Sequence, residues 1–467
     1  PSAALGSFAD EPVASLCFDS RKLEARCLFV AIKGGKSDGH DFLQAAADKG
    51  AIALVVEDAA KVPKNFLGSV YVAKSSREAL NQLSAKFFGE PAKDMFCIGV
   101  TGTNGKTTTT YMTEAIFAEA GKPAGVIGTI NHHFQDHVWK TEMTTPDPVS
   151  FQERLNQFKD LGAKAVALEV SSHALDQARV DEVPFDVAVF TNLSRDHLDY
   201  HKDMNEYFKA KSKLFSDLLT RSTKPNPTAV INADDEYAMK LVTASKVRRW
   251  TYGLSAGADL HVKILSQGFG GTRFSLKTPV GEADFQLNMV GLHNVANACG
   301  AIGAALAADI PLATCVAALA KLRGVSGRLE SVPNTKGIHV FVDYAHTDDA
   351  LKTVLHFLND IRKKSGLSNR LITVFGCGGD RDKGKRPLMA KAAMEGSDLV
   401  VLTSDNPRTE DPEQILNDAM AGAPDGSLGN TLFRDADRKR GIALAINKAQ
   451  AGDVVLIAGK GHEDYQQ

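Results

Sequence analysis

The stretch T-G-T-N-G-K-T-T-T-T at residues 101–110 constrains the fold more than any other part of this sequence. An apolar run at 95–100, short enough for one buried strand, precedes it, and apolar residues at helical spacing over 111–120 follow it. A strand, a glycine-containing turn and a helix form a phosphate-binding context, because backbone N–H groups and the helix N-terminus attract anions. The spacing G-x-x-G-K-T is shorter than the common phosphate-loop pattern, but Lys and Thr stand where that pattern needs them. The sequence therefore predicts a nucleotide-phosphate site here.

The side chains of this turn suit different parts of a nucleotide. We expect Lys106 to reach the β- and γ-phosphates and the Thr107 hydroxyl to bind Mg²⁺. The other residues of the turn that are predicted to contact ATP are Gly102, Thr103, Asn104, Gly105 and Thr108. The alternative is an ordinary glycine turn before a helix, against which the Lys-Thr pair argues.

Length and charge narrow the class of protein. The 467 residues suffice for about three domains. Because 54 Lys and Arg balance 56 Asp and Glu, no polyanion-binding surface is indicated, and we expect no nucleic-acid partner. The six cysteines form no C-x-x-C pair, which is typical of reduced thiols rather than a disulfide framework. No apolar run approaches the ~20 residues that span a bilayer, and no signal-peptide pattern is present, so we expect a cytoplasmic protein without membrane insertion.

The order of the apolar runs predicts an α/β protein with three domains, at residues 1–88, 89–330 and 331–467. In the central domain, strands alternate with helices, which predicts a doubly wound, mostly parallel sheet; a small antiparallel sheet follows at 259–290. The runs predicted as strands lie at 28–32, 51–56, 95–100, 163–170, 185–193, 228–234, 337–344, 370–376, 398–403 and 453–459. Helices are predicted near 42–50, 148–161, 203–219 and 235–244.

Polar residues follow several of these strands. Glu169 and His197 each come after an apolar run, and a parallel sheet would bring both strand ends near the phosphate loop. A carboxylate and an imidazole there suit Mg²⁺ that is bound jointly by protein and nucleotide phosphates, although either residue alone could be a surface group. By contrast, His132, His133 and His137 have no metal-site spacing, and we expect them to be solvated in a polar loop.

Ordered motifs extend from residue 19 to residue 466. The most specific of them are D-S-R (19–21), G-T-N-G-K-T-T (102–108), E-V-S-S-H (169–173), T-N-L-S-R-D-H-L-D-Y-H (191–201), D-Y-A-H-T (343–347), D-N-P-R-T-E (405–410) and A-G-K-G-H-E-D-Y-Q (458–466). Together they resemble the Mur ligases, ATP-dependent amide-forming enzymes of peptidoglycan precursor synthesis. Within that family, the chain is similar to the members that add the third amino acid of the peptide.

The resemblance implies a uridine-binding α/β N-terminal domain, a central ATPase domain with a P-loop-like site, and a Rossmann-like C-terminal domain that closes over ATP and carries the amino-acid site. It also implies a reaction in which ATP converts the D-Glu γ-carboxylate of UDP-N-acetylmuramoyl-L-Ala-D-Glu to an acyl phosphate. The amine of meso-diaminopimelate then attacks this acyl phosphate. Separately from the resemblance, we expect the protein to be a monomer.

Site residues follow from the resemblance, position by position. The UDP-contacting positions are Phe18, Ser20, Gly35, Lys36 and Ser37. The positions that hold the muramoyl dipeptide are Thr144, Thr145, Ser171, Gln177 and Arg179. Nucleotide contacts match Asn294 and Asn297, and ATP-facing catalytic positions match Arg328, Asp343 and His346. The diaminopimelate site matches Arg381, Asp405, Asn406, Pro407, Arg408, Gly459 and Glu463.

Two of the implied roles have a clear chemical basis. Lys211 matches a lysine carbamylated by CO₂, and a carbamate supplies an anionic oxygen for Mg²⁺ where an ammonium would repel it. It would therefore join Thr107, Glu169 and His197 as a metal ligand. Arg408 can form a two-pronged pair with the distal carboxylate of diaminopimelate, a group that lysine lacks.

Three other functions compete with this prediction. The first is the same ligase chemistry with L-lysine, which Arg408 disfavours. The second is a folylpolyglutamate synthetase-like ligase, which D-S-R at 19–21 and the D-N-P-R loop disfavour. The third is a P-loop switch or regulatory ATPase without ligase activity, which a substrate-omission assay of phosphate release would distinguish.

Overall fold

The computed structural model of the protein describes residues 4–5, 12–35, 37–141, 143–198, 200–364 and 369–466, with residues 4–5 described by their backbone only. The chain divides into two compact units. The first comprises residues 1–260 and 299–311, and the second residues 261–298 and 312–467. Both units contain parallel sheets covered by helices, so the fold is α/β, as predicted. The domain boundaries at 88 and 330 stay a prediction.

The N-terminal part of the first unit holds a five-stranded sheet in the order β1-β5-β4-β3-β2. Its strands are β1 Ala4–Leu5, β2 Ser15–Cys17, β3 Cys27–Val30, β4 Ala53–Val56 and β5 Ser69–Val72, and its helices are α1 Leu43–Asp48 and α2 Ser76–Phe87. Strands β2 to β5 pair in parallel, and β1 is antiparallel to β5. Because β3 and β4 are buried along their whole length, they are continuously apolar.

A larger sheet in the same unit carries the phosphate loop. Its strands are β6 Phe96–Thr101, β7 Ala124–Ile127, β8 His132–Phe134, β9 His137–Trp139, β10 Ala165–Glu169, β11 Val187–Phe190, β12 Thr228–Asn232 and β13 Arg248–Gly253. Its helices are α3 Lys106–Glu119, α4 Pro148–Asp160, α5 Ser172–Asp176, α6 Met204–Lys213 and α7 Leu219–Arg221, with a π-helical turn at Leu214–Leu218. The strand order is β13-β12-β11-β6-β10-β7-β8-β9. The six strands β13, β12, β11, β6, β10 and β7 pair in parallel, and β8 and β9 are added in antiparallel pairs.

The register of this sheet brings the predicted site residues to one edge. Glu169 of β10 pairs with Val100 of β6, and Phe190 of β11 pairs with Thr101. The carboxyl ends of these three central strands therefore lie side by side, which is where parallel sheets bind their ligands.

Two predictions for this region were wrong. The helix expected near 235–244 is only a 3₁₀ turn at Ala238–Lys240, and the chain leaves the helical conformation before the β-branched residues Val242 and Thr243. His132 and His133 lie in β8 and are buried, not solvated. The His133 ring makes contacts of 2.7 and 3.0 Å to Asn131 Oδ1 and Glu114 Oε1, which fix it against α3. His137 is exposed, as predicted.

The second unit begins with an antiparallel sheet formed by β14 Leu260–Gly268, β15 Gly271–Thr278 and β16 Gly281–Leu287. The antiparallel sheet predicted at 259–290 is thus confirmed. Helices α8 Leu292–Ala307 and α9 Leu312–Lys321 follow it along the chain.

The rest of the second unit is a six-stranded sheet in the order β17-β18-β22-β19-β20-β21. Its strands are β17 Glu330–Val332, β18 His339–Asp343, β19 Leu371–Cys377, β20 Leu399–Ser404, β21 Leu432–Asp435 and β22 Val454–Ala458. Its helices are α10 Asp348–Lys364, α11 Lys385–Gly396, α12 Pro412–Met420 and α13 Arg438–Lys448. All neighbours except β17 and β18 are parallel, so the loops after β18, β19, β20 and β22 share one edge.

Two general features agree with the composition. All six cysteines are buried and free, and burial raises the pKa of Cys97 to about 12. Among the described residues, no helix is long and apolar enough to cross a membrane.

Candidate active site

The phosphate loop is the turn between β6 and α3. Helix α3 begins at Lys106, and Gly105 precedes it with a left-handed φ of 87°. Gly102 has a φ of +152°, and a Cβ built there would lie 1.9 Å from Thr191 Oγ1 and 2.9 Å from the Asn192 carbonyl oxygen. Only glycine therefore fits at this position.

This close approach gives a testable prediction. The Gly102→Ala protein should lose at least about 10²-fold in kcat for ATP-dependent phosphate release, because its Cβ pushes the loop away from the 191–192 backbone. Gly121→Ala is the control, since Gly121 also has a positive φ of 69° but nothing lies within 4 Å of its Cβ position. Equal activities of the two variants would contradict the requirement for this approach.

Hydrogen bonds from the chain after β11 hold the loop in place. Thr191 Oγ1 donates to the Asn104 carbonyl at 2.6 Å, and Asn192 Oδ1 accepts from the Asn104 N–H at 2.9 Å. The Thr103 N–H donates to the Asn192 carbonyl at 2.9 Å, and the Ser194 N–H donates to Thr103 Oγ1 at 3.0 Å. The first residues of the motif at 191–201 thus hold the phosphate loop in position by hydrogen bonds.

Two lysines meet at this loop. Lys106 Nζ donates to the carbonyls of Gly102 and Thr103 at 2.9 and 2.8 Å, and Lys211 Nζ donates to the same Gly102 carbonyl at 2.8 Å. Lys211 is 1% exposed. Burial, reinforced by the charge of Lys106 and opposed by Asp196, holds the pKa of Lys211 well below its usual value. The protonated form of Lys211 is therefore less favoured than that of an exposed lysine.

The two predicted metal-binding side chains differ in environment. Glu169 is fully buried, and its two oxygens accept from the Thr129 N–H at 2.8 Å and the Thr129 hydroxyl at 3.0 Å. Each oxygen thus keeps a lone pair for a cation. The His197 side chain is 45% exposed, and its ring centroid lies 5.1 Å from that of His173. Among the residues that the structure describes, no three His, Cys, Asp or Glu side chains form a ready-made cation site. A hard cation would therefore need further oxygen ligands.

The five residues predicted to hold the dipeptide lie together. Thr145 Oγ1 donates to Ser171 Oγ at 3.3 Å, and Arg179 Nη1 donates to the Thr145 carbonyl at 2.7 Å. Arg179 Nη2 also donates to Gln177 Oε1 at 2.7 Å, and Thr144 is adjacent in the chain. Burial lowers the pKa of Arg179. These side chains form a small polar surface on which the Arg179 guanidinium is held by hydrogen bonds.

The residues predicted for UDP lie in loops of the five-stranded sheet. Phe18 and Ser20 are half-buried after β2, while Gly35 and Ser37 are exposed in a turn closed by a hydrogen bond of 2.9 Å from the Gly34 N–H to the Ser37 carbonyl. Lys36 lies outside the described residues.

Within the second unit, Asn294 and Asn297 are buried on α8. Asn294 Nδ2 donates to the Val290 carbonyl at 2.8 Å, and Asn297 Nδ2 donates to Asn294 Oδ1 at 3.3 Å. The two residues predicted to contact the nucleotide thus hold each other's side chains in position.

The predicted ATP-facing residues of the second unit surround the end of β18. Asp343 accepts from two backbone N–H groups, those of residues 329 and 345, at 2.8 and 2.9 Å. Burial raises the pKa of Asp343, although these two hydrogen bonds oppose the shift. His346 is exposed and its Nδ1 lies 2.8 Å from the Tyr344 carbonyl, while the Arg328 guanidinium lies 5.3 Å from the Tyr344 ring.

Residues predicted for the amino acid converge on Lys460, which is not among the predicted site residues. Lys460 Nζ donates to Asn406 Oδ1 at 3.0 Å and Glu463 Oε2 at 3.1 Å, and lies 3.6 Å from Asp405 Oδ1. Burial opposes the ionisation of Glu463, but Lys460 and Asn406 outweigh it and lower its pKa. The signal was present, because Lys460 stands in the quoted motif at 458–466.

Arg408 lies beside this cluster. Its backbone φ is +52°, and its Nη1 donates to the Gly379 carbonyl at 2.8 Å. Gly459 has a φ of +112°, and a Cβ there would lie 3.1 Å from Asp405 Oδ2. Pro407 is half-buried in the same loop as Arg408, and Arg381 is exposed.

Two further residues were not predicted: Arg438 lies outside every quoted motif, and Tyr200 stands in the motif at 191–201 without a predicted role. Arg438 donates to the Ser404 carbonyl at 3.2 Å and the Ala458 carbonyl at 2.9 Å, so it joins the ends of β20 and β22. The Tyr200 hydroxyl accepts from Gln177 Nε2 at 3.2 Å and donates to Asp176 Oδ2 at 2.7 Å, which braces the predicted dipeptide site.

Comparisons with known proteins agree with these motifs. Three family models match, described as Mur ligase family, catalytic domain (residues 12–88), Mur ligase middle domain (100–305) and Mur ligase, glutamate ligase domain (327–461). A curated UDP-N-acetylmuramoyl-L-alanyl-D-glutamate--2,6-diaminopimelate ligase of Geobacter sulfurreducens is 43% identical over 481 residues, covering 100% of this chain and 93% of the relative. The chain belongs to the Mur ligase family. It is therefore an ATP-dependent, amide-forming ligase, as predicted.

Further relatives of this Mur ligase point the same way. The ligase of the same name from Bacillus velezensis is 43% identical over 461 residues, covering 98% of this chain and 91% of the relative. A solved structure of a ligase with that name has a TM-score of 0.73 at 36% identity, covering 98% of this chain and 91% of the other. A folylpolyglutamate synthase of Mycobacterium tuberculosis complexed with ADP, at 18% identity and a TM-score of 0.62, covers 82% of this chain and 91% of its own. At that identity it shares the fold alone.

Proposed function

We propose that this Mur ligase uses ATP to join meso-diaminopimelate to the D-Glu γ-carboxylate of UDP-N-acetylmuramoyl-L-Ala-D-Glu. The reaction is a step of peptidoglycan precursor synthesis, and the enzyme acts in the cytoplasm as a monomer. The relatives at 43% identity bear the name of this activity, which supports the proposal.

The observation that carries the choice of amino acid is the setting of Arg408. Its Nη1 is anchored on the Gly379 carbonyl, and within the described residues Nε and Nη2 have no hydrogen-bond partner. An anchored, half-buried guanidinium with free N–H groups suits the distal carboxylate of diaminopimelate. Lysine carries no carboxylate at that end and would leave Arg408 desolvated without a partner.

The zwitterionic end of the amino acid would lie near the acidic cluster. Asp405 and Glu463 are carboxylates that attract an ammonium, and Asn406 offers an amide between them. Lys460 balances part of their charge and holds all three side chains in position. Arg381, exposed on the neighbouring loop, would contact a carboxylate from the solvent side.

The phosphate loop would perform the first chemical step. An oxygen of the D-Glu γ-carboxylate attacks the γ-phosphorus of ATP, the bond to the β,γ-bridging oxygen breaks, and ADP leaves. The loop N–H groups and Lys106 stabilise the charge on the transferring group by position and electrostatics. Arg179, fixed on Thr145, would hold the dipeptide so that its carboxylate faces the phosphate. In the second step the amine attacks the acyl carbon, phosphate leaves, and the amine loses a proton as the amide forms.

Mg²⁺ would be held by Thr107, Glu169, His197 and the carbamate of Lys211. The lone pairs left on the Glu169 carboxylate and the depressed pKa of Lys211 support this set, because CO₂ reacts with a neutral amine. When bound, the cation would offset negative charge on the phosphates. Arg328, Asp343 and His346 are proposed to contact ATP.

Substitution of Arg408 tests the choice of amino acid. The Arg408→Ala protein should lose about 10²–10³-fold in kcat/KM for diaminopimelate relative to its kcat/KM for lysine, because a matched charged pair is removed. Arg440→Ala is the control, since the Arg440 side chain is 71% exposed and pairs with Asp435. Product formation with each amino acid is measured by chromatography. An unchanged preference in the Arg408 variant would contradict the role of its guanidinium.

A further inference from the structure

The loop that carries Arg408 has a strained backbone. Arg408 and Asp380, on the loops after β20 and β19, are non-glycine residues in the left-handed region, with φ values of 52° and 53°. This conformation is sparsely populated by such residues, and it persists only where surrounding contacts hold it. The two loops also touch directly, because the Gly379 N–H donates to the Asn406 carbonyl at 2.9 Å.

A set of hydrogen bonds joins the two strained residues. The Asp380 carboxylate accepts from the Thr409 N–H at 3.2 Å and from the Thr409 hydroxyl at 2.8 Å. In return, the Asp380 N–H donates to Glu410 Oε1 at 2.6 Å. Residues 409 and 410, which directly follow Arg408, are therefore both tied to the opposite loop.

A buried arginine lies beneath this connection. Arg386 has a side chain that is 1% exposed, and its Nη2 donates to Glu410 Oε1 at 2.7 Å and to the Gly378 carbonyl at 3.3 Å. Its Nη1 donates to Asp418 Oδ2 at 2.7 Å. Arg386 and the Asp380 N–H lower the pKa of Glu410 to about 2, so that this carboxylate stays charged at the pH of any assay.

We propose that the buried Arg386–Glu410 pair is a positioning device that sets the selectivity of the amino-acid site by holding Arg408 in place. This inference rests on the proposed function, in which Arg408 recognises the distal carboxylate of diaminopimelate. A two-pronged pair requires the guanidinium plane to be fixed in angle as well as in distance. Neither Arg386 nor Glu410 contacts the amino acid in this scheme; both act through the backbone of residues 408–410.

Arg386 also provides its own control, because it has two carboxylate partners. Glu410 lies on the Arg408 loop and holds Asp380, whereas Asp418 lies on α12 and accepts from Gln414 Nε2 at 2.8 Å. Removing either charge disturbs the same buried guanidinium. Only the loss of Glu410 should release the loop that carries Arg408.

The test compares Glu410→Gln with Asp418→Asn in the full-length protein. In Glu410→Gln the ratio of kcat/KM for diaminopimelate to that for lysine should fall about 10-fold, mainly through KM for diaminopimelate. KM for ATP should stay within about twofold of the parent value, because the substitution changes the amino-acid site and leaves the phosphate loop unchanged. In Asp418→Asn the melting temperature should fall, while the ratio of the two amino acids stays at the parent value. Equal ratios in both variants would overturn the positioning role.

Two further measurements distinguish a failure of the positioning role from misfolding of the variant and from a failure of the proposed function. If Glu410→Gln does not fold, Thr409→Val carries the same expected fall in ratio, because it removes only the exposed hydroxyl contact to Asp380. A parent protein without preference for diaminopimelate would overturn the proposed function, and with it this inference. A parent with that preference, together with an unchanged ratio in the folded variant, would overturn the positioning role alone.

Discussion

Replacement of Lys106 by methionine is expected to lower kcat/KM for the complete ligation by about 10³-fold or more. Lys106 places a cationic group at the phosphate loop, and its Nζ is fixed by the carbonyls of Gly102 and Thr103 at 2.9 and 2.8 Å. Methionine keeps most of the aliphatic stem and removes the charge. Phosphate release with all substrates present measures the effect.

The matched control for Lys106 is Lys240→Met. Lys240 is exposed, and its Nζ lies 4.3 Å from the Tyr237 ring. Both variants should unfold at temperatures close to that of the parent, because neither change removes a buried apolar group. Activity of Lys106→Met within tenfold of the parent would contradict the assignment of the phosphate loop.

Replacement of Lys211 by alanine should lower kcat by about 10²–10³-fold, with partial recovery when acetate or formate is added. The expected defect is the loss of the carbamate oxygen, which a small carboxylate can replace in the space left by the side chain. The control is Lys209→Ala, on the same helix, since the Lys209 side chain is 74% exposed. The temperature of unfolding of Lys211→Ala distinguishes loss of this ligand from general damage to the loop.

The pH dependence of the parent protein follows from the same residue. Because burial depresses the pKa of Lys211, its amine loses its proton at a lower pH than the amine of an exposed lysine, and it becomes protonated as the pH falls through that lowered pKa. Protonation prevents reaction with CO₂. Activity should therefore fall on acidification, and removal of bicarbonate should lower it further in the parent but not in Lys211→Ala. Full activity of Lys211→Ala without any added carboxylate would remove Lys211 from the metal site.

The parallel sheets and their ligand-bearing loops were predictable because the signals are local. A strand, a glycine turn and a helix are specified within residues 95–120, and the structure places β6, the turn and α3 there. Buried parallel strands such as β10 and β19 are continuous apolar runs, which pattern analysis detects readily. The helix predicted near 235–244 was wrong, because the β-branched residues Val242 and Thr243 follow the 3₁₀ turn and favour helix weakly.

The electrostatic environment was not predictable from the sequence alone. Lys211 resembles its neighbours Lys209 and Lys213 in the sequence, yet only packing against the phosphate loop depresses its pKa. Lys460 contacts the Asn406 amide, which lies 54 residues away in the chain, and Arg386 contacts Glu410 and Asp418, which lie 24 and 32 residues away. Such contacts depend on strand order and register, which motifs do not encode.

The release of phosphate with each substrate omitted in turn tests the central claim most directly. The phosphate loop is proposed to transfer the γ-phosphoryl group to a carboxylate and not to water. Phosphate release at the full rate should therefore require ATP, UDP-N-acetylmuramoyl-L-Ala-D-Glu and meso-diaminopimelate together, and should stop when the nucleotide dipeptide is left out. Release at the full rate from ATP alone would contradict the account.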